Sequence, residues 1–194
     1  MPLDSHQDVP DEVLLALYAN GDADAALVLT QRLTPRMFGL AIRMLGDVSE
    51  AEDVVQEAML RLWRIAPDWR RGEAQVSTWL YRVVFNLATD RLRVRKRQGP
   101  SLDAIEDPAS PEPGAPEQLQ DKARNAALQG ALDDLPDRQK QAVILRHIEG
   151  LANPEIAQIM GITTEAVESL TARGKRALGA ALAGRRAELG YNDD

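Results

Sequence analysis

ANPEIAQIMGITTEAVESLTARGKR, residues 152–176, is the stretch whose reading decides the fold. A small residue stands at Ala157, where one helix can cross another closely, and Gly161 can take a left-handed turn. Val167 and Leu170 then put apolar groups on the inner face of a following helix. Those are the requirements of a helix-turn-helix, met in order. Asn153 with Pro154 reads as a cap and first-position pair for a short helix to Met160, and Thr163 caps the helix after it. That second helix carries Glu165, Glu168, Ser169, Ala172, Arg173 and Arg176 outward at three-to-four spacing, positioned to enter a major groove. Residues 171–186 hold five bases (Arg173, Lys175, Arg176, Arg185, Arg186) and no acid. The plainer alternative for this segment alone is a helical hairpin with a solvated face.

Working outward, a helix over residues 119–135 is expected before Pro136, and Asp137 caps the next, which ends at Gly150. Upstream lies QGPSLDAIEDPASPEPGAPEQ, residues 98–118, with five prolines, five acids and no base. Proline removes backbone donors, and the low apolar content cannot offset the entropy of ordering, so this stretch reads as a flexible linker. The chain is therefore all-α with two small helical domains, 1–97 and 119–194, joined by an acidic, proline-rich linker over 98–118.

The first domain divides by charge. Residues 1–60 hold eleven acids and three bases, whereas residues 61–97 hold ten bases and three acids. Pro10, with Asp11 and Glu12 behind it, opens a first helix that leaves at Gly21. A second helix is expected over 22–33, and Thr34 with Pro35 looks like the cap and first turn of a third, ending at Gly46. Ser49 and Glu52 form an S-x-x-E capping box for a fourth helix to about Ile65. Its apolar stripe of Ala51, Val54, Val55, Ala58, Met59 and Leu62 leaves Asp53, Gln56, Glu57, Leu60 and Arg64 on the other side. Ser77 caps a fifth helix on which Trp79, Arg82, Asn86, Asp90, Arg93 and Arg97 recur at three-to-four spacing, ending in RLRVRKR, residues 91–97. An aromatic beside an amide and guanidinium groups is the mixture that stacks exposed bases and holds phosphates. Trp79 and Tyr81 as core residues, with the arginines merely solvated, is the competing reading.

Composition narrows the classes. The 194 residues suit one medium domain or two small ones, at ~100–200 residues each. Zero cysteines exclude disulfide frameworks, thiolate metal sites and cysteine nucleophiles. His6 and His147 stand far apart, and no Ser/His/Asp set, Gly-rich phosphate loop or HExxH is present, so catalysis has almost no raw material; no metal and no cofactor are expected. No run approaches the ~18–20 apolar residues of a membrane span, and the acidic opening MPLDSHQDVPDE is unlike a signal peptide, so no membrane insertion and a cytoplasmic location are expected.

Read in order, SEAEDVVQEAMLRLWR, VSTWLYRVVFNLATDRLRVRKR and LDDLPDRQKQAVILRHIEGLANPEIAQIMGITTEAVESLTARGKRAL resemble regions 2 and 4 of a bacterial sigma factor, and the absence of further domains resembles the extracytoplasmic-function group. The similarity spans about residues 11–182, and the EDVVQEA and TWLYR segments are highly specific in combination. The resemblance implies a non-enzymatic factor that binds core RNA polymerase and directs it to promoters. It implies that Asp53, Gln56, Glu57, Leu60 and Arg64 dock the polymerase clamp coiled coil. It places the minus-10 element on Trp79, Arg82, Asn86, Asp90, Arg93, Lys96 and Arg97, with Arg70 and Arg71 in the preceding loop, where a flipped base would sit. It gives the minus-35 element to Thr164, Glu165, Glu168, Ser169, Ala172, Arg173, Lys175 and Arg176. An anti-sigma factor is an expected partner by the same resemblance. Departures from the common pattern are Val76 and Met59, where an aromatic is frequent, and Ala152, where Ser or Thr is frequent. Glu165 and Glu168 fit acceptance from cytosine amino groups, although Glu168 can equally be solvated.

Two other classes stay open at this point. A sigma mimic that sequesters an anti-sigma factor could keep the docking surfaces but would not need residues 91–97 or the basic last helix. A dimeric helix-turn-helix repressor would need a dimer interface and leaves the first domain unexplained.

Overall fold

The computed structural model describes residue 6 and residues 8–70, 72, 74–98 and 116–183, with the backbone alone for 116–122. Among the described residues there are eight helices and no strand. The first half holds α1 (Asp11–Ala19), α2 (Ala23–Leu45), α3 (Val48–Ile65) and α4 (Val76–Gln98), with a 3₁₀ turn over Ala66–Asp68. The second holds α5 (Pro116–Asp133), α6 (Asp137–Val143), α7 (Asn153–Met160) and α8 (Thr164–Ala183), and α6 runs on into a π-helical turn over Ile144–Ile148.

α2 is the spine of the first half, packing against α1, α3 and α4. Asp22 starts it, its Oδ1 accepting from the backbone N–H groups of Asp24 at 3.0 Å and Ala25 at 3.1 Å. Gly46 ends it in the left-handed region at φ 71°, which closes a helix without a Cβ penalty. The break expected at Thr34 and Pro35 does not occur, and one helix runs through both residues. An interior proline costs ~3 kcal/mol through a lost donor and a clash with the turn before it. Leu33, Met37, Leu40 and Ala41 are all fully buried on one face of this helix. Each such large side chain contributes ~1.5–3 kcal/mol, enough together to outweigh the proline.

Two other helix starts also differ from expectation. Asp47, not Ser49, caps α3, its Oδ1 accepting from Glu50 N at 2.7 Å, so Ser49 lies inside the first turn. α4 begins at Val76, ahead of Ser77. Most of the expected linker lies outside the described residues, and residues 116–118 at its end already belong to α5.

In the second half α8 packs on α5, α6 and α7. Pro136 sits at the N-cap of α6, with Asp137 as the first helical residue, and Ala152 holds that place for α7, one residue before the expected Asn153. Ala152 has no side-chain oxygen to offer, but Glu155 Oε2 accepts from its backbone N–H at 2.9 Å, which is half of a capping box. In the π-helical turn, Glu149 N donates to Ile144 O at 3.0 Å, five residues back. The two halves share one apolar core: α4 packs on α7, and α2 touches the π-helical turn.

Candidate nucleic-acid and partner interface

Three surfaces gather the residues singled out by the sequence. On α8, Val167, Thr171 and Gly174 face inward and are buried. That phase turns Glu165, Glu168, Ser169, Ala172, Arg173, Lys175 and Arg176 outward as exposed residues, with Thr164 half-buried at the helix start. The turn into α8 has the expected chemistry. Gly161 sits at φ 64°, and Thr163 Oγ1 accepts from Ala166 N at 3.2 Å. The backbone N–H of Glu165 and the Thr163 hydroxyl hold the Glu165 carboxyl below the ordinary carboxylate range, so it stays an acceptor at neutral pH.

Arg173 is steadied one turn back. Its Nη2 donates to Ser169 Oγ at 2.9 Å and its Nε to Ser169 O at 3.2 Å. Glu168 is tied differently: Asn153 Nδ2 of α7 donates to its Oε1 at 3.5 Å. The sequence alone gives no sign of this tie.

α4 presents Arg82, Asn86, Asp90, Arg93, Lys96 and Arg97 as exposed residues. Arg93 Nη1 pairs with Asp90 Oδ1 at 3.2 Å, and Lys96 pairs with Asp137 of the second half. Trp79 differs from the outward aromatic expected. It is half-buried against the core and meets Trp69 edge to face, with ring centroids 5.9 Å apart at 89°. Such a pair gains from the ring quadrupoles as well as from burial. The buried Trp69 Nε1 has no hydrogen-bond partner in the structure. Arg70 is exposed just after Trp69, while Arg71 lies outside the described residues.

On α3, Asp53, Gln56, Leu60 and Arg64 are exposed, and Glu57 is half-buried. Arg61 Nε donates to Glu57 Oε1 at 2.8 Å, and this hydrogen bond holds the Glu57 carboxyl below its ordinary range. Asp53 Oδ2 takes Arg91 Nη1 of α4 at 3.4 Å. Leu60 leaves 43% of its surface to solvent. It forms one lip of a largely apolar groove of about 460 Å³ between α2 and α3, with Thr34, Phe38, Val55, Met59 and Trp63 among the other walls. Phe38 and Trp63 were not picked out from the sequence. The signal was available only once α2 is known to continue past Pro35, because that continuation brings Phe38 alongside α3.

No group of three or more potential metal-ligating side chains is found among the described residues, and none of their helices is long and apolar enough to cross a membrane.

Residues 29–98 match the sigma-70 region 2 family, and residues 125–178 match sigma-70 region 4. The chain is 33% identical to the ECF RNA polymerase sigma-E factor of Escherichia coli, over 89% of its own length and 94% of that protein's. It belongs to the extracytoplasmic-function sigma factors of the sigma-70 family. A second sigma factor, the RNA polymerase sigma-H factor of Pseudomonas aeruginosa, is 31% identical, with 89% of this chain and 93% of that protein covered. Among solved structures, CnrH in complex with the cytosolic domain of CnrY superimposes with a TM-score of 0.68, covering 90% of this chain and 97% of that one at 22% identity, a likeness of fold. The region 2 match runs from within α2 to the end of α4, and the region 4 match from within α5 through most of α8.

Proposed function

We propose that this sigma factor acts as a non-enzymatic specificity subunit with three separate surfaces. The α3 face of Asp53, Gln56, Glu57, Leu60 and Arg64 docks core RNA polymerase. The α4 face of Arg82, Asn86, Asp90, Arg93, Lys96 and Arg97, together with Arg70, Arg71 and Trp79, recognises and opens the minus-10 element. The α8 face from Thr164 to Arg176 reads the minus-35 element. Region 2 would occupy 1–97 and region 4 119–194, with 98–118 between them, and the site of action is the cytoplasm, where polymerase and DNA are. An anti-sigma factor is the expected inhibitor, since a solved structure of similar fold, the sigma factor RpoE from Bartonella quintana, is in complex with the anti-sigma factor NepR.

The observation that carries this reading is the outward phase of α8. Arg173 is exposed and held by Ser169, while Thr171 and Gly174 beside it are buried. A reading helix must offer side chains to base edges, an arginine fork to guanine being the commonest, and bury its other side against its own domain. Physics also favours dividing the labour. Two weak DNA readers fixed on one large partner gain affinity through effective concentration. The formal charge of -7 limits binding to free DNA, which rests on released counterions.

The test is transcription from a promoter-fragment library with purified core polymerase and this chain, the transcripts being sequenced. Start sites sharing two spaced upstream motifs are expected. Tight polymerase or anti-sigma binding without any transcript would favour a sequestering mimic instead.

A further inference from the structure

The sequence leaves Glu168 between two readings, base contact and plain solvation. The structure separates them through Asn153. Its Nδ2 donates to Glu168 Oε1 at 3.5 Å across the helix-turn-helix, from the first residue of α7 to the second turn of α8. Among the described residues Glu168 forms no ion pair, so this amide is what holds it. A carboxylate only accepts, so the amide must present its NH2 edge. Turned the other way, it would set two oxygens face to face.

The far side of the same amide is informative too. Asn153 Oδ1 is buried and has no hydrogen-bond partner. An unpaired buried carbonyl is unfavourable, and asparagine is a poorer helix former than alanine. Asn153 is therefore not there for the stability of α7, which Pro154 and Glu155 already start. What the residue does supply is a fixed donor for one oxygen of Glu168. The tie has a firm base, because α7 packs on α8 with Ile156, Ile159 and Val167 all buried.

With Oε1 tied, Oε2 is left as the acceptor. In the major groove cytosine offers its N4 amino group with no acceptor beside it, adenine sets N7 next to its amino group, and guanine and thymine offer no donor. A carboxylate oxygen therefore suits cytosine. Phosphates on either side make a glutamate without such a partner unfavourable.

We propose that Asn153 is a positioning residue for base reading: it holds Glu168 Oε1 before DNA arrives, so that Oε2 accepts from the amino group of one minus-35 cytosine. The base contact rests on the reading of α8 proposed above; the tie itself does not. Fixing a long side chain ahead of binding removes an ordering cost that corresponds to about two- to tenfold in affinity. The contact as a whole sets a cytosine preference of about five- to 150-fold.

The test is transcription by core polymerase and the full chain from a promoter selected as above, with every minus-35 base randomised and the transcripts sequenced. Glu168→Ala identifies the position, since one preference for cytosine should disappear with it. Asn153→Ala should weaken the same preference about two- to tenfold and leave the other positions unchanged. Asn153→Asp keeps the shape and suits a helix N-terminus, but turns a carboxylate on Glu168, and should weaken the preference at least as much. In a Glu168→Ala chain, Asn153→Ala should change no preference. A merely structural role would lower output from all sequences alike. Such uniform loss overturns the proposal, as does a cytosine preference unmoved by either Asn153 variant. So does an equal Asn153 effect in the Glu168→Ala chain, or the lack of any cytosine preference that Glu168→Ala removes. A library with no preference at any minus-35 position defeats the reading of α8 itself, and this base contact with it.

Discussion

Gly174 of α8 and Val143 of α6 lie so close that a Cβ built on the glycine would stand 2.5 Å from Val143 Cγ2 and 3.2 Å from Gln139 O. The glycine is what allows the reading helix to lie against its support. Gly174→Ala must push the two helices apart, at a cost of about 1–3 kcal/mol from overpacking. Thermal unfolding should show a lowered midpoint, and minus-35 binding should weaken because α8 is displaced. An unchanged midpoint would mean the helices have room to spare.

Arg173→Ala removes the fork that Ser169 steadies. Loss of one good bidentate base contact costs about 1–3 kcal/mol. Transcription from matching promoters should fall accordingly while polymerase binding is retained. Equal loss of both would argue against separate DNA-reading and docking surfaces.

Leu60→Asp tests the docking face from the other side. An exposed leucine at the lip of an apolar groove is suited to a partner's apolar side chain, and a carboxylate there would be buried unpaired on docking. Polymerase affinity should drop about tenfold or more, with folding intact because the side chain is already half in solvent. Charge reversal at Asp53 should act in the same direction. Co-purification with core polymerase reads both variants.

Ala152→Ser should stabilise. The backbone at Ala152 is extended, at φ -75° and ψ 150°, and Glu155 already supplies the return half of a capping box. A hydroxyl at that place can accept from the open backbone donors of α7, worth about 0.5–2 kcal/mol. A raised thermal midpoint is the expected outcome.

Acidity should weaken region 4 through His147. Burial, then the charges of Lys175 and Arg146, hold its imidazole below the ordinary value of 6.5. Between that lowered value and the ordinary one, the unfolded chain binds more protons than the folded one, so stability rises with pH across the window and falls on acidification. The thermal midpoint, followed from about pH 7.5 to 5.5, should drop more for the unaltered chain than for His147→Gln. Identical slopes would exclude His147 as the source.

The parts of this fold that were legible in the sequence are those set by local chemistry. Gly161, Thr163, Val167 and Leu170 fix the turn and phase of α8 within a dozen residues, so its outward face could be read directly. Where the outcome depends on weighing a local penalty against distant burial, the reading failed. Pro35 looks like a helix start because the sequence does not display the core that Leu33 and Met37 enter. The placement of Trp79 was likewise decided by Trp69, ten residues away across a loop. Asp47 outcompeted Ser49 as a cap by two residues, a choice between two good chemistries that pattern alone does not rank. The contact between Tyr81 and Glu149 spans 68 positions and leaves no periodic trace at all.

The π-helical turn over Ile144–Ile148 makes that contact depend on how the chain winds there. A π-helical turn accommodates more residues than an α-helical one, and each residue of helix advances the side chains by about 100°. Rewinding it as an ordinary α-helix with every residue kept would rotate Glu149 away from Tyr81 by roughly that angle, without altering the chemistry of either side chain. The bond between the two halves is therefore a matter of register as much as of residue type. A relative bearing the same tyrosine and glutamate but one residue fewer in this turn could form it through an ordinary α-helical turn, whereas one of equal length without the π-helical winding would not.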